Sequence, residues 1–231
     1  VLHARDVRTT ELDREICSRI RTSILFAGPL LARMGQVRLP PPGGDVIGRR
    51  RLDTHIHALR ALGAEIRIND GFDFSTEGLR GKDIFLDEAS VTGTENALMA
   101  AVLAKGTTII RNAACEPHVQ DLAHLLNAMG ARISGIGSNT LTIEGVDKLR
   151  GAECEIGADY IETGSFIGLA AVTRGEILIK NAAPEHLRMV FLTFARLGIE
   201  CQVRGNDVFV SPYQSLRVQN DLHDAIPTIA D

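Results

Sequence analysis

Leu59-Arg-Ala-Leu62-Gly63-Ala64-Glu-Ile66 decides the fold, because it occurs three times. Leu126-Asn-Ala-Met129-Gly130-Ala131-Arg-Ile133 repeats it, and Phe194-Ala-Arg-Leu197-Gly198-Ile199-Glu-Cys201 repeats it again. In each copy an apolar segment runs into a glycine, and a short alternating segment follows. Val119, Leu122, Leu126 and Met129 recur at helical spacing, as do Leu187, Val190, Phe191, Phe194 and Leu197. A glycine just past a helix takes the left-handed conformation that closes it, so Gly63, Gly130 and Gly198 are predicted helix ends. Residues 64–68 and 141–143 then read as strands.

A second signature, Gly106-Thr-Thr-Ile-Ile-Arg-Asn112, is echoed by Gly175-Glu-Ile-Leu-Ile-Lys-Asn181 and more faintly by Gly35-Gln-Val-Arg-Leu39. Both series recur at roughly 67 to 71 residues, longer than the usual solenoid periods and long enough for two helices and several strands. An Ala-rich helix is predicted over 95–105, closing at Gly106, with a β-branched strand over 107–110. The order gives a βαβαββ-like unit and an α/β (α+β) fold. About two full units are expected, flanked by partial ones, the last breaking off after Asp207-Val-Phe-Val210. The polar stretch 151–160 is the expected boundary, dividing the chain into domains 1–157 and 158–231. Residues 35–51 form a longer connection than usual, and Pro40-Pro-Pro-Gly-Gly44 breaks any helix there. Long loops inside compact domains are often functional lids.

Composition removes several classes of function. The chain has 231 residues, 45% apolar and 4% aromatic, with no Trp, so its core rests on Leu, Ile, Val and Ala. A net charge of -4 supplies no basic field for nucleic acid. No apolar run approaches the ~20 residues that span a bilayer, so no membrane partner is expected. The first residues lack a signal-peptide pattern, and a start at Val1 rather than Met points to a beginning inside a domain. Cys17, Cys115, Cys154 and Cys201 form no CxxC pair or zinc-finger spacing, which reads as free thiols in a reducing cytosol and no metal site.

Several blocks together resemble the UDP-N-acetylglucosamine enolpyruvyltransferase family, in a variant with aspartate in the catalytic loop. They are Gly28-Pro-Leu-Leu-Ala-Arg33-Met-Gly35; Pro42-Gly-Gly-Asp45-Val-Ile-Gly48-Arg-Arg50-Arg-Leu-Asp53-Thr-His55; Ala89-Ser-Val-Thr-Gly-Thr-Glu-Asn96; Asn112-Ala-Ala-Cys-Glu116-Pro117; and Ile161-Glu-Thr-Gly-Ser165-Phe166. The similarity stays in register from about Ala4 to the end. It implies an inside-out α/β barrel of βαβαββ repeats, three per lobe, here truncated at both ends, with helices inside and sheets outside. It also implies transfer of the enolpyruvyl group of phosphoenolpyruvate to the 3-hydroxyl of UDP-N-acetylglucosamine, releasing phosphate. No cofactor is implied. The remaining expectations are a monomeric, cytoplasmic enzyme of peptidoglycan synthesis, inactive as this fragment alone.

The resemblance also carries roles onto particular residues. Asp45 stands where most members have cysteine, and it takes the role of general acid toward the methylene carbon of phosphoenolpyruvate. Desolvation under a closed loop and a neighbouring substrate anion favour its acid form; Arg49, Arg50 and Arg51 oppose it. Arg50 and Arg21 match substrate-side arginines, whose guanidinium forks suit phosphate oxygens; Arg33 matches less closely. Arg51, Leu52, Asp53, Thr54 and His55 match the segment lining the uridine pocket, where Asp53 can accept from the uracil N–H and His55 can equally pack beside Ile56. Ser90, Val91, Thr92 and Gly93 precede the Ala-rich helix, and a helix start offers unpaired N–H groups to a diphosphate; ordinary capping by Ser90, Thr92 or Thr94 is compatible with that. Some members have glycine at Thr92. Glu116 and Glu162 read as structural. The second-lobe base follows a motif beyond Asp231, which is not assigned. Two other readings are a shikimate-pathway enolpyruvyltransferase and a non-catalytic UDP-sugar sensor.

Overall fold

The computed structural model describes residues 1–45, 48, 51–220 and 225. It divides into two compact units, Val1–Cys154 and Glu155–Asp231. The first unit holds α1 (Arg14–Arg19), a 3-10 segment (Arg21–Phe26), α2 (Ala27–Met34), β1 (Gln36–Leu39), α3 (Asp53–Ala61), β2 (Glu65–Ile68) and β3 (Phe72–Ser75). It continues with β4 (Asp83–Phe85), α4 (Val91–Ala101), β5 (Thr107–Arg111), α5 (Pro117–Ala128), β6 (Arg132–Ser134) and β7 (Thr140–Glu144). The second holds α6 (Tyr160–Thr173), β8 (Ile177–Ile179), α7 (Arg188–Arg196), β9 (Cys201–Arg204) and β10 (Asp207–Val210).

The repeat is visible in the sheets. Their strand orders are β1-β3-β2, β4-β5-β7-β6 and β8-β10-β9, so the same antiparallel core recurs three times. Among the described residues, only 83–144 carry all six elements, with β4 parallel to β5 and Asp83 opposite Ile109. This corrects the expectation of about two full units. In the first repeat the leading strand shrinks to one parallel bridge, Glu11 to Arg38. Leu12 N–H donates to the Arg38 carbonyl (3.0 Å). The chain then turns into α1 at once, because the Asp13 carboxylate accepts from the Ile16 N–H (2.8 Å).

The glycines after α3, α5 and α7 behave as their sequence context predicts. Gly63, Gly130 and Gly198 have φ of 100°, 105° and 74°. The same closing bond follows each: Ala64 N–H to Leu59 O, Ala131 to Leu126, and Ile199 to Phe194, at 2.9–3.0 Å. The Ala-rich helix, in contrast, lies four residues earlier than its pattern indicates. Ser90 caps it through the Gly93 N–H (3.2 Å). At the other end Lys105 leaves the helix to bridge to Arg80, its N–H donating to Leu79 O (2.8 Å).

Helix α4 is the axis of the first unit and packs against α2, α3 and α5. Gly93, Thr94, Asn96, Ala97, Leu98, Ala100 and Ala101 are buried, and Val91, Thr92, Glu95 and Met99 on the remaining side are partly buried, so no residue of the helix is fully exposed. A helix surrounded in this way needs small side chains to let its neighbours approach. Leu98 of α4 and, around the helix, Leu59, Leu62, Ile110 and Ile143 are fully buried, each contributing about 2 kcal/mol through apolar area removed from water. The second unit has a smaller core of Ile167, Ala170, Ala171, Leu187, Val208 and Val210. Phe166, Leu169 and Val172 of α6 and Met189 and Leu192 of α7 are exposed.

Candidate active site

The Pro-Gly-Gly-Asp loop leaves the body of the first unit at a pinned point. Gly43 N–H donates to Cys17 O at the end of α1 (2.9 Å). Its Cα lies so close to Ser18 that any Cβ would overlap the Ser18 carbonyl. Gly44 follows at φ +96°, against the backbone of Arg21. Asp45 comes next and is exposed, with no hydrogen bond or ion pair to any described residue. Arg50 and Asp231 lie outside the described residues.

The other predicted site residues converge where α3 and α4 begin. Arg21 donates to the carbonyl of Arg51 (3.1 Å). Arg51 pairs with Asp53 (2.8 Å) and reaches Asp87 (3.5 Å), and Asp87 also accepts from the Thr54 hydroxyl (2.8 Å). Exposed ion pairs of this kind add roughly 0–1 kcal/mol of stability; their effect here is orientation. Leu52 packs partly buried against the core below. Arg33 lies apart from this group, donating to the carbonyls of Ala4 and Arg5. Sequence reasoning missed Asp87, since nothing marks an acidic residue after β4 as the partner of side chains more than thirty positions earlier.

His55 is internal, at 2% exposure, and both ring nitrogens are bonded within the protein. Nε2 lies 3.2 Å from Thr92 Oγ1 and Nδ1 lies 3.1 Å from Asn96 Nδ2. The ring is thus packed inside the first unit, beside the start of α4. The directions of these bonds follow from Asn96. Gly28 N–H donates to Asn96 Oδ1 (2.6 Å), so the amide nitrogen faces the other way, donating to Ile24 O (3.0 Å) and to His55 Nδ1. Nδ1 is therefore an acceptor, the ring is neutral, and the proton sits on Nε2. Burial and then the positive charge of Arg21 push this imidazole down to about 4, consistent with that state. Asn96, fully buried in a helix of Ala, Leu and Met, was also missed; a lone weak helix former in such a run was the available signal.

At the tip of α4, Ser90 satisfies the Gly93 amide, while the amides of Val91 and Thr92 have no intrahelical partner, as at any helix start. These N–H groups and the positive end of the helix suit an anion. Burial and then Glu116 push Glu95, one turn on, up to about 7, and Glu116 Oε2 is buried without a hydrogen-bond partner among the described residues. A folded-state value above the ordinary 4.5 means that the native state holds a proton which the unfolded chain releases as pH rises from 4.5 to 7. The contribution of Glu95 to stability therefore falls across that window. His55 has the opposite sign, with stability lost as pH falls from 6.5 toward 4. Glu95→Gln in the complete protein is expected to raise stability at pH 8 by about 1–2 kcal/mol, allowing for its partial exposure. For a chain about twice this length that corresponds to roughly 1–2 °C in Tm, converging with wild type near pH 4.5. Equal melting temperatures at pH 8 would remove the coupled pair.

Among the described residues no helix is long and apolar enough to cross a membrane, and no group of three or more His, Cys, Asp or Glu is placed to hold a metal. The family model for EPSP synthase (3-phosphoshikimate 1-carboxyvinyltransferase) matches residues 1–230. The chain belongs to the EPSP synthase family. Within it, relatives named UDP-N-acetylglucosamine 1-carboxyvinyltransferase are 56% identical over 230 residues in Bradyrhizobium diazoefficiens and 57% identical in Treponema denticola. Both alignments cover 100% of this chain but 53% and 54% of the relatives, so the chain spans about half their length. Solved structures agree in fold. The enolpyruvyl transferase NikO from Streptomyces tendae superposes with a TM-score of 0.75 at 21% identity, over 88% of this chain and 49% of that one. EPSP synthase from Acinetobacter baumannii gives 0.64 at 19% identity, over 87% and 48%.

Proposed function

We propose that the complete protein of which this chain forms about half transfers the enolpyruvyl group of phosphoenolpyruvate to the 3-hydroxyl of UDP-N-acetylglucosamine, releasing phosphate. The observation that carries this reading is identity above 55% along the whole chain to relatives bearing that activity in their names. In this reading the first unit is the catalytic-loop lobe and the second begins the other lobe. Asp45 protonates the methylene carbon of phosphoenolpyruvate; Arg21 and Arg50 face the substrate phosphates. Arg51, Leu52, Asp53 and Thr54 line the uridine side, and Ser90, Val91, Thr92 and Gly93 present amides to the diphosphate. The enzyme works as a cytoplasmic monomer without metal or cofactor. It supplies peptidoglycan synthesis and thereby supports cell shape and division.

Phosphate release from phosphoenolpyruvate by the complete protein, measured with UDP-N-acetylglucosamine and in parallel with shikimate 3-phosphate as acceptor, tests the reading. Release with the nucleotide sugar alone is the expected result. Release only with shikimate 3-phosphate would assign the shikimate-pathway reaction, and binding of the nucleotide sugar without release would assign a sensor.

A carboxylate at position 45 also bears on the epoxide antibiotic fosfomycin, which alkylates a thiol in that place. Resistance is expected: incubation of the complete protein with fosfomycin leaves its mass unchanged and causes no time-dependent loss of activity. An adduct on the protein would contradict this.

A further inference from the structure

The buried polar chain behind the tip of α4 has a direction, and its outer end points to a role for a residue that the family resemblance does not assign. Gly28 N–H donates to Asn96 Oδ1 (2.6 Å), Asn96 Nδ2 donates to His55 Nδ1 (3.1 Å), and His55 Nε2–H donates to Thr92 Oγ1 (3.2 Å). Each link fixes the next. The Gly28 amide admits one orientation of the Asn96 amide, that orientation admits one tautomer of His55, and that tautomer makes the Thr92 oxygen an acceptor on its inner side. The hydroxyl hydrogen of Thr92 is then left to donate outward. Thr92 is half-buried, in the first turn of α4, beside amides that have no intrahelical partner. The chain also ties together the three segments that bear the proposed site residues: the 3-10 segment with Arg21 (through Asn96 Nδ2 and Ile24 O, 3.0 Å), α3, and the start of α4.

We propose that Asn96 is a positioning residue for the acceptor substrate, acting through the tautomer of His55 to aim the Thr92 hydroxyl as a donor at a diphosphate oxygen of the nucleotide sugar. The inference rests on the acceptor reading given under Proposed function. It gives Thr92 a side-chain contact in addition to its backbone amide, where family members with glycine have the amide alone. Asn96→Asp reverses the chain. A carboxylate cannot donate to Nδ1, so His55 carries its proton on Nδ1, Nε2 becomes an acceptor, and the Thr92 hydrogen turns inward.

The test is calorimetric titration of the complete protein with UDP-N-acetylglucosamine at pH 8, for wild type, Asn96→Asp, Thr92→Val, Thr92→Ser and the Asn96→Asp/Thr92→Val double variant. Thr92→Val is expected to weaken binding about ten-fold, the effect of one charge-assisted hydrogen bond, while Thr92→Ser stays within about two-fold of wild type. Asn96→Asp is expected to weaken binding by a similar factor. The double variant is expected to be no weaker than Thr92→Val, since the two residues act in series. The imidazole 15N shifts of His55 should move from the Nε2–H to the Nδ1–H pattern in Asn96→Asp, a change that loss of packing alone does not produce. Wild-type affinity in Thr92→Val, or losses that multiply in the double variant, would overturn the inference while leaving the acceptor reading standing. A wild-type protein that does not bind UDP-N-acetylglucosamine would overturn both.

Discussion

Asp45→Asn in the complete protein is expected to lower kcat by about 10²–10⁴, the usual range for removal of a general acid, with KM for UDP-N-acetylglucosamine changed by no more than about two-fold. Asparagine matches aspartate in size and keeps the backbone of the Gly-Gly-Asp turn, but has no proton to deliver to the methylene carbon. The carboxyl is suited to an isolated change because it makes no hydrogen bond or ion pair with any described residue and is exposed. Its removal disconnects nothing in the body of the first unit. The diagnostic is the split between kcat and KM in a phosphate-release assay. An asparagine variant that turns over at the wild-type rate would end the acid role, and a large rise in KM with kcat intact would make Asp45 a binding residue.

The second large effect is expected at Gly43. A methyl group there would overlap the Ser18 carbonyl at the end of α1, so Gly43→Ala cannot be absorbed by rotating a side chain. The loop has to lift away, breaking the hydrogen bond from Gly43 N–H to Cys17 O (2.9 Å). Asp45 lies two residues further on, and a displacement near 1 Å at a reacting group can cost about 10² in rate. The expected result is a fall in kcat/KM of roughly that size, with far-ultraviolet circular dichroism unchanged. Gly48→Ala is the control: Gly48 has nothing within 4 Å of its would-be Cβ, although its φ of 131° makes that change somewhat strained. If Gly43→Ala were as active as wild type, the loop would not depend on its anchor.

What the sequence made legible was local. Gly63, Gly130 and Gly198 announce their helix ends because a left-handed residue there favours glycine, and the three copies reinforce one another. The Gly106 and Gly175 signatures likewise land on β5 and β8. The extent of α4 was less legible. Its Ala-rich interior suggests a helix continuing to Lys105, but that residue is drawn into a bridge with Arg80, a partner remote in sequence. The missing first strand of the opening repeat was hidden for a similar reason, because a single bridge and a capping aspartate leave no run of alternating residues. At the site, Arg51, Asp53 and Thr54 could be picked out from the block that resembles the uridine segment. Their partner Asp87, and the amide of Asn96 that sets His55, depend on contacts 33 to 41 residues apart in sequence. Glu116 looked structural; its proximity in charge to Glu95 appears only once α4 and α5 are packed together.

The central position of α4 has a consequence for how ligand occupancy is sensed. The same helix supplies amides without intrahelical partners at its tip and the interior against which α2, α3 and α5 rest. Amide protons along its Ala97–Ala101 stretch should exchange with solvent only when the whole first unit opens, not by local fraying. A nucleotide seated on the tip would thus slow exchange throughout that unit, and the occupied fraction could be read from its slowest protons.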